Sequence, residues 1–328
     1  MTDGAPSDAP PDRCADDVGP QGLYIHLSCT GLYADIGAKT IAADARYFKP
    51  GVPFWSDGAD KTRYIRLPAG KKIDSTDIDN WIFPVGTSVW KEFILGGKRI
   101  ETRLYVKTQE TLWKRTSYRW SADEKDAIRN DDGERNVNGT NLEIPPAEAC
   151  DNCHFGGGKD RLLGFEAVNL ALPTAEGLTL ERLALEGVLT RPPARTKFDL
   201  PEDATKFAAP ALGYLHSNCG TCHSHIEGAP AGFSGLDVRL YASRLLAGVG
   251  PKVAELEAYR TTVGVEMSVF KKGPLLRIKS GDPVESGVVF LSARRTGEAG
   301  NDQMPPFASH EVDTAGVKLL SDWIKAGP

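Results

Sequence analysis

One pentapeptide pattern occurs twice in this chain and constrains it more than any other feature: Cys150-Asp151-Asn152-Cys153-His154 and Cys219-Gly220-Thr221-Cys222-His223. C-x-x-C-H is the attachment signature of c-type haem. Two thiols three residues apart fall on one side of a helical turn, from which both reach the porphyrin vinyls. The next residue then lies under the ring, where a histidine nitrogen binds iron. The cofactors expected are therefore two covalently bound c-type haems. Cys150, Cys153, Cys219 and Cys222 anchor them, and His154 and His223 are the proximal ligands. Structural zinc is the rival use of paired cysteines. Such sites usually hold their pairs closer in sequence and do not call for histidine in the fifth place.

The remaining two cysteines, Cys14 and Cys29, lie close together near the N-terminus. Because c-type haem is normally attached outside the cytoplasm, the compartment is expected to be oxidising, and a Cys14–Cys29 disulfide is the first expectation. Lipidation of Cys14 is the alternative, but Ala9-Pro10-Pro11-Asp12-Arg13 does not look like a lipid-attachment site. The start of the sequence lacks the basic end and apolar stretch of a signal peptide. The expected location is thus periplasmic or at the cell surface, with the export signal absent from the sequence read here. No stretch is long and apolar enough to span a bilayer. The formal net charge of −5, made more negative by haem propionates, argues against nucleic acid as a partner and is compatible with a basic redox partner.

The 328 residues leave room for more than one domain. Residues 1–20, rich in Asp, Pro and Ala, read as a disordered tail. Residues 21–142 read as a β-rich, sandwich-like domain. Arg63–Leu67, Ser88–Leu95 and Ile100–Val106 alternate apolar with polar and are separated by turns such as Gly96-Gly97. Five of the six tryptophans fall between Trp55 and Trp120, which suggests an aromatic core. The charged stretch from Asp123 to Arg135 reads as a solvated connection. Residues 143–204 form the first haem segment, and residues 205–328 a second haem domain similar to class I cytochrome c. Helices are expected over Leu178–Leu189, over Phe207–Leu215, and from an Asp313 cap to Gly327-Pro328, with Leu319, Leu320, Trp323 and Ile324 inward. The fold class expected is therefore an all-β sandwich-like domain followed by a mainly α dihaem domain.

The sixth iron ligand separates electron carriers from catalysts, because an open position permits chemistry on peroxide or oxygen. Met304, in Gln303-Met304-Pro305-Pro306, is expected to complete the second site, with the prolines stiffening the loop. For the first site the candidates are His216, Met267, one of His26, His225 and His310, or no residue at all. Other motifs fail on inspection. Gly156-Gly157-Gly158-Lys159 is followed by Asp160 where a phosphate loop needs Ser or Thr. Asp57 and Asp60 could hold a cation, but they fit a turn better.

Several segments together resemble a bacterial family of exported dihaem c-type cytochromes. They are Leu27-Ser28-Cys29-Thr30-Gly31-Leu32-Tyr33, Phe54-Trp55-Ser56-Asp57-Gly58-Ala59-Asp60-Lys61, Trp81-Ile82-Phe83-Pro84-Val85-Gly86-Thr87, Tyr214-Leu215-His216-Ser217-Asn218-Cys219, Gly281-Asp282-Pro283-Val284-Glu285-Ser286 and Met304-Pro305-Pro306 with Asp322-Trp323-Ile324. The resemblance covers roughly residues 23–326. It implies two covalent haems, a periplasmic or surface location and, for many members, a parallel β-helix partner protein. It supplies no substrate. The function expected is electron transfer between redox partners, more that of a carrier than of a catalyst. The alternatives are a dihaem peroxidase or oxidase with an open first haem, and a structural subunit of an extracellular cytochrome assembly.

Overall fold

A computed structural model describes residues 14–156, 159–270, 272–295 and 303–328. The expected tail at 1–20 lies outside the described residues up to residue 13, as do Gly157 and Gly158 of the glycine run. Its centre is one antiparallel sheet of seven strands: β1 Arg46–Lys49, β2 Asp60–Arg66, β3 Ser88–Leu95, β4 Lys98–Gln109, β5 Leu112–Trp120, β6 Ala127–Arg129 and β7 Glu176–Gly177. The spatial order is β7-β1-β2-β3-β4-β5-β6. Strands β2 to β5 form a meander of hairpins. Gly96 and Gly97 join β3 to β4 with φ of 58° and 78°, the left-handed pair that a two-residue hairpin turn demands. β6 lies within the charged stretch expected to be a solvated connection. Its ladder to β5 pairs Trp120 with Ala127.

Alternation along each strand gives the sheet two different faces. One carries Trp90, Leu104, Tyr118 and Trp120, which pack with Leu27, Leu32, Tyr33 and Ala45 of the N-terminal arm. That arm is covalently tied, since Cys14 and Cys29 form a disulfide. The arm contributes only a two-stranded ribbon, Tyr33–Asp35 with Thr40–Ile41, so there is no second sheet to make a sandwich among the described residues. The opposite face carries Lys61, Arg63, Ile65, Val89, Lys91, Phe93, Glu101, Arg103, Tyr105, Lys107 and Trp113, as the cross-strand register requires. The first C-x-x-C-H segment lies against it.

The mainly α second domain is also corrected. Among the described residues seven short helices follow the first motif: α1 Ala167–Ala171, α2 Leu180–Leu185, α3 Ala208–Asn218, α4 Gly287–Ser292 and α5 Thr314–Ala326, with two single-turn helices, Ala242–Leu245 and Glu257–Arg260, between α3 and α4. Only α3, of 11 residues, and α5, of 13, exceed two turns among the described residues. The sheet dominates the molecule, and most of the chain after residue 143 is coil. Buried coil needs partners for its backbone groups, and side chains supply them here. Arg277, 6% exposed, donates to the carbonyls of Gly235, Thr261 and Ser234 at 2.9, 2.7 and 2.6 Å. Periodicity could not reveal this, because such bonds follow no repeat.

The helix expected over 178–189 ends at Leu185; beyond it, Leu189 bridges to Ile73 as extended chain. α5 starts where Asp313 accepts from the Gly316 N–H at 2.9 Å and ends at Gly327, φ 82°. It buries Leu320, Trp323 and Ile324. α3 and α5 cross closely, since a Cβ on Gly316 would come within 2.3 Å of the Tyr214 ring. One hydrophobic cluster joins Phe48, Ile65 and Trp81 to Leu212, Leu215, Leu320 and Trp323. The sheet and the two long helices thus share a core.

Candidate haem-attachment sites

The second motif begins where α3 ends. Cys219 caps the helix, and the chain then turns tightly, with His223 N–H donating to the Cys219 carbonyl at 2.9 Å. The imidazole orientation follows from a chain of donors. Ser234 Oγ donates its only proton to the Ala231 carbonyl at 2.7 Å. It must then accept from His223 Nδ1, 3.2 Å away. Nδ1 therefore carries the ring proton, and the Nε2 lone pair is left for a metal. Burial pushes His223 down to about 4, helped by Arg277, so the ring is neutral at ordinary pH.

Beside this imidazole lies a cavity of about 510 Å³, lined by Cys219, Cys222 and His223 and also by Met304, Pro305 and Pro306. Leu215, Leu236, Val238 and Leu291 supply apolar wall. The Met304 loop is anchored: Met304 N–H donates to the Leu291 carbonyl at 3.0 Å, and Arg295 reaches the Met304 carbonyl at 3.3 Å. Two thiols, a neutral imidazole with a free nitrogen and a thioether thus line one apolar space. This donor set fits a c-type haem. Met267, a candidate for the first site, lines this second cavity instead.

The first motif lies on the sheet. Cys150, 7% exposed, ends a 3-10 turn, and Asp151–His154 makes a single helical turn. Arg115 of β5 holds both, donating to the Ala147 carbonyl at 3.1 Å and pairing with Asp151. His154 Nδ1 is 3.0 Å from the Arg161 carbonyl. A carbonyl only accepts, so here too Nδ1 bears the proton and Nε2 is free. The Tyr105 ring lies 4.6 Å from the imidazole, centroid to centroid. Burial lowers His154 to about 3, and Lys91 adds to the effect. Just beyond, Asp160 takes Lys107 at 2.6 Å, Trp113 Nε1 at 2.8 Å and Phe83 N–H at 2.6 Å. This carboxylate pins the segment to the sheet.

The two motifs meet. The Cys153 and Cys222 thiols lie near enough to influence each other: their interaction lowers Cys153 and raises Cys222. Burial pushes Cys219 up to about 12. Arg161, whose carbonyl orients His154, also sends its guanidinium to the Thr221 carbonyl inside the second motif, at 3.1 Å. Among the described residues, no group of three or more His, Cys, Asp or Glu side chains is arranged to hold a metal ion by itself. The four motif cysteines are accordingly not gathered in a zinc-type cluster.

His216 is buried on α3 with both nitrogens engaged. Nδ1 accepts from Leu240 N–H at 3.0 Å, and Nε2 faces Glu166 at 3.3 Å. It has no lone pair to give iron unless the Leu240 bond breaks. His26 pairs with Asp17, His225 with Asp237 and His310 with Glu143. Asp57 is buried and accepts the His310 and Glu311 N–H groups, so its carboxylate closes a loop. Ser234, Arg161 and Tyr105 were not legible as site residues. Their roles depend on contacts across the fold, and no spacing signals them. No helix among the described residues is long and apolar enough to cross a membrane. No protein-family model, curated protein or solved structure matches the chain.

Proposed function

We propose that the chain is a dihaem c-type cytochrome of the exported bacterial family it resembles, carrying electrons between protein partners in the periplasm or at the cell surface. The observation that carries this reading is the cavity that Cys219, Cys222, His223 and Met304 share. Bound haem supplies a one-electron iron couple. The protein's part is to hold it. Cys150 and Cys153 anchor one group, and Cys219 and Cys222 the other. The Arg161 carbonyl and Ser234 hydroxyl fix the ring protons of His154 and His223 on Nδ1, so that Nε2 keeps its lone pair. Apolar side chains around the second site exclude water and favour the less charged, reduced state. Cys153 of one motif and Cys222 of the other lie near enough to influence each other, which suits transfer within one chain. The family resemblance adds a parallel β-helix protein as a partner.

A second reading, a dihaem peroxidase or oxidase with an open first site, is favoured by one observation: both nitrogens of His216 are occupied. Two measurements separate these readings. Protein matured in a host that attaches haem should show, by mass spectrometry, the polypeptide plus two haem groups; the bare polypeptide mass would refute both readings. Low-temperature electron paramagnetic resonance of the oxidised protein should show low-spin iron throughout for a carrier. High-spin signal from half the iron, with a spectral response to peroxide, would establish the catalyst.

A further inference from the structure

Beside the first motif, the sheet carries a row of like charges that the haem-attachment reading does not use. Arg63 of β2 stands directly opposite Lys91 of β3, and Lys91 directly opposite Arg103 of β4. Neighbouring strands run about 4.8 Å apart, and like charges facing one another across a ladder destabilise it. A solvated sheet face would alternate sign. Lys61, one step along β2, adds a fourth cation to the same face.

Compensation within the chain is thin. Glu101 takes Arg103 through two bonds, of 2.7 and 3.0 Å. Lys61 is satisfied locally by the Phe54 carbonyl and, at 2.9 Å, the Ser56 hydroxyl. Arg63 and Lys91 have no ion-pair or hydrogen-bond partner among the described residues. Arg63 is 5% exposed, and its Nε is buried without an acceptor. What they have is aromatic: Arg63 lies 5.8 Å from the Phe54 ring, while Lys91 and Arg103 lie 4.8 and 4.4 Å from the Phe93 ring. Ring faces hold a cation in place but do not neutralise it. Arg63 is enclosed, Lys91 is partly exposed, and neither pairs with a carboxylate among the described residues, so the row is short of anionic partners.

We propose that Arg63, Lys91 and Arg103 form a binding floor for a carboxylate or phosphate-type oxyanion next to Cys153 and His154. Tyr105, two residues beyond Arg103 on the same strand face, has its ring 4.6 Å from the His154 ring, so the anion would be held beside the first motif. Two sources have this chemistry. One is the pair of propionate arms of a haem attached at Cys150 and Cys153, and this source rests on the function proposed above. The other is a free oxyanion drawn to the site as substrate or effector.

The test uses purified holoprotein as wild type, Lys91→Met, Arg63→Met and Arg63→Lys, each checked for native far-UV ellipticity. Haem content per chain is measured first and judges the functional reading independently. Inorganic phosphate is then titrated by calorimetry, and the propionate carboxylate bands are recorded by infrared spectroscopy with isotope-labelled haem. Phosphate binding at one site, weakened tenfold or more in Lys91→Met and retained in Arg63→Lys, supports a free oxyanion. Absence of phosphate binding, with propionate bands that shift in Lys91→Met but not in Arg63→Lys, supports the propionates. If Arg63→Met does not fold, Lys91→Met carries both arms. Phosphate binding indifferent to the substitutions, or no binding and unmoved bands, overturns the proposal. If the chain carries no haem, the phosphate arm still decides for or against the row.

Discussion

His154 and His223 owe their usefulness to what holds their other nitrogen, and the same logic governs Asp160. Asp160 is 4% exposed and its partner Lys107 is 1% exposed in side chain. Removing one member of a buried pair strands the other charge, which costs about 3–5 kcal/mol. Asp160→Ala should therefore lower holoprotein stability by that amount in urea unfolding, and a loss below about 1 kcal/mol would refute the role. The double change Asp160→Leu with Lys107→Met should recover most of it, because no lone charge then remains. The two motif histidines could be picked out as candidate ligands because C-x-x-C-H is a local pattern with a local chemical reason. Lys107 was not, since a lysine in an alternating strand looks the same whether it meets water or a buried carboxylate. Nor was the Arg63–Lys91–Arg103 row visible, because which cations face each other depends on strand register. His216 shows the limit from the other side: as the first histidine after the first motif it suggested a ligand, whereas Leu240 and Glu166 occupy its nitrogens.

At the scale of elements, short helices here borrow stability from their neighbours. α1 has five residues and cannot stand alone. Glu166 caps it, accepting from Val168 and Asn169 N–H at 2.7 and 2.9 Å, and links it to His216 on α3. Burial works to raise the Glu166 carboxyl, but His216, Arg239 and the Asn169 N–H overcome it and hold the group at about 2, below its ordinary 4.5. The sign of the pH effect follows. The folded state prefers ionised Glu166, so its contribution is fully present above about pH 4.5 and is lost as pH falls towards about 2. Glu166→Gln should lose roughly 1–3 kcal/mol at neutral pH and show a shallower fall in stability across that acid window. Urea unfolding at a series of pH values checks it, and parallel wild-type and variant curves would contradict it. The capped α5 and the strands β2 to β4 were readable because caps, glycine turns and alternation are sequence-local. A single sheet and half of a sandwich share the same alternation. What separates them is the material on the far face, an irregular N-terminal arm with no period to read.

At the scale of the whole molecule, long-range packing of the same kind predicts one cooperative body. A division near residues 142 and 204 follows the change in sequence texture, from alternating strands to proline-rich coil. Yet the main hydrophobic cluster takes Phe48, Ile65 and Trp81 from one side of those points and Leu212, Leu320, Trp323 and Ile324 from the other. Separating the pieces would strip large apolar side chains of their partners, each worth about 1.5–3 kcal/mol when fully buried. A few such residues approach the whole stability of an ordinary domain. The motifs are tied across the divide as well, through the Arg161 bond to the Thr221 carbonyl. Holoprotein should therefore unfold in urea in a single transition. Far-UV ellipticity reports on helices and sheet together, tryptophan fluorescence on the aromatic cores and Soret absorbance on the surroundings of the proposed haems, and the three should share one midpoint. A Soret change completed before the ellipticity moves would mean that residues 205–328 unfold by themselves, and the shared core would then not be what holds the haem segments in place.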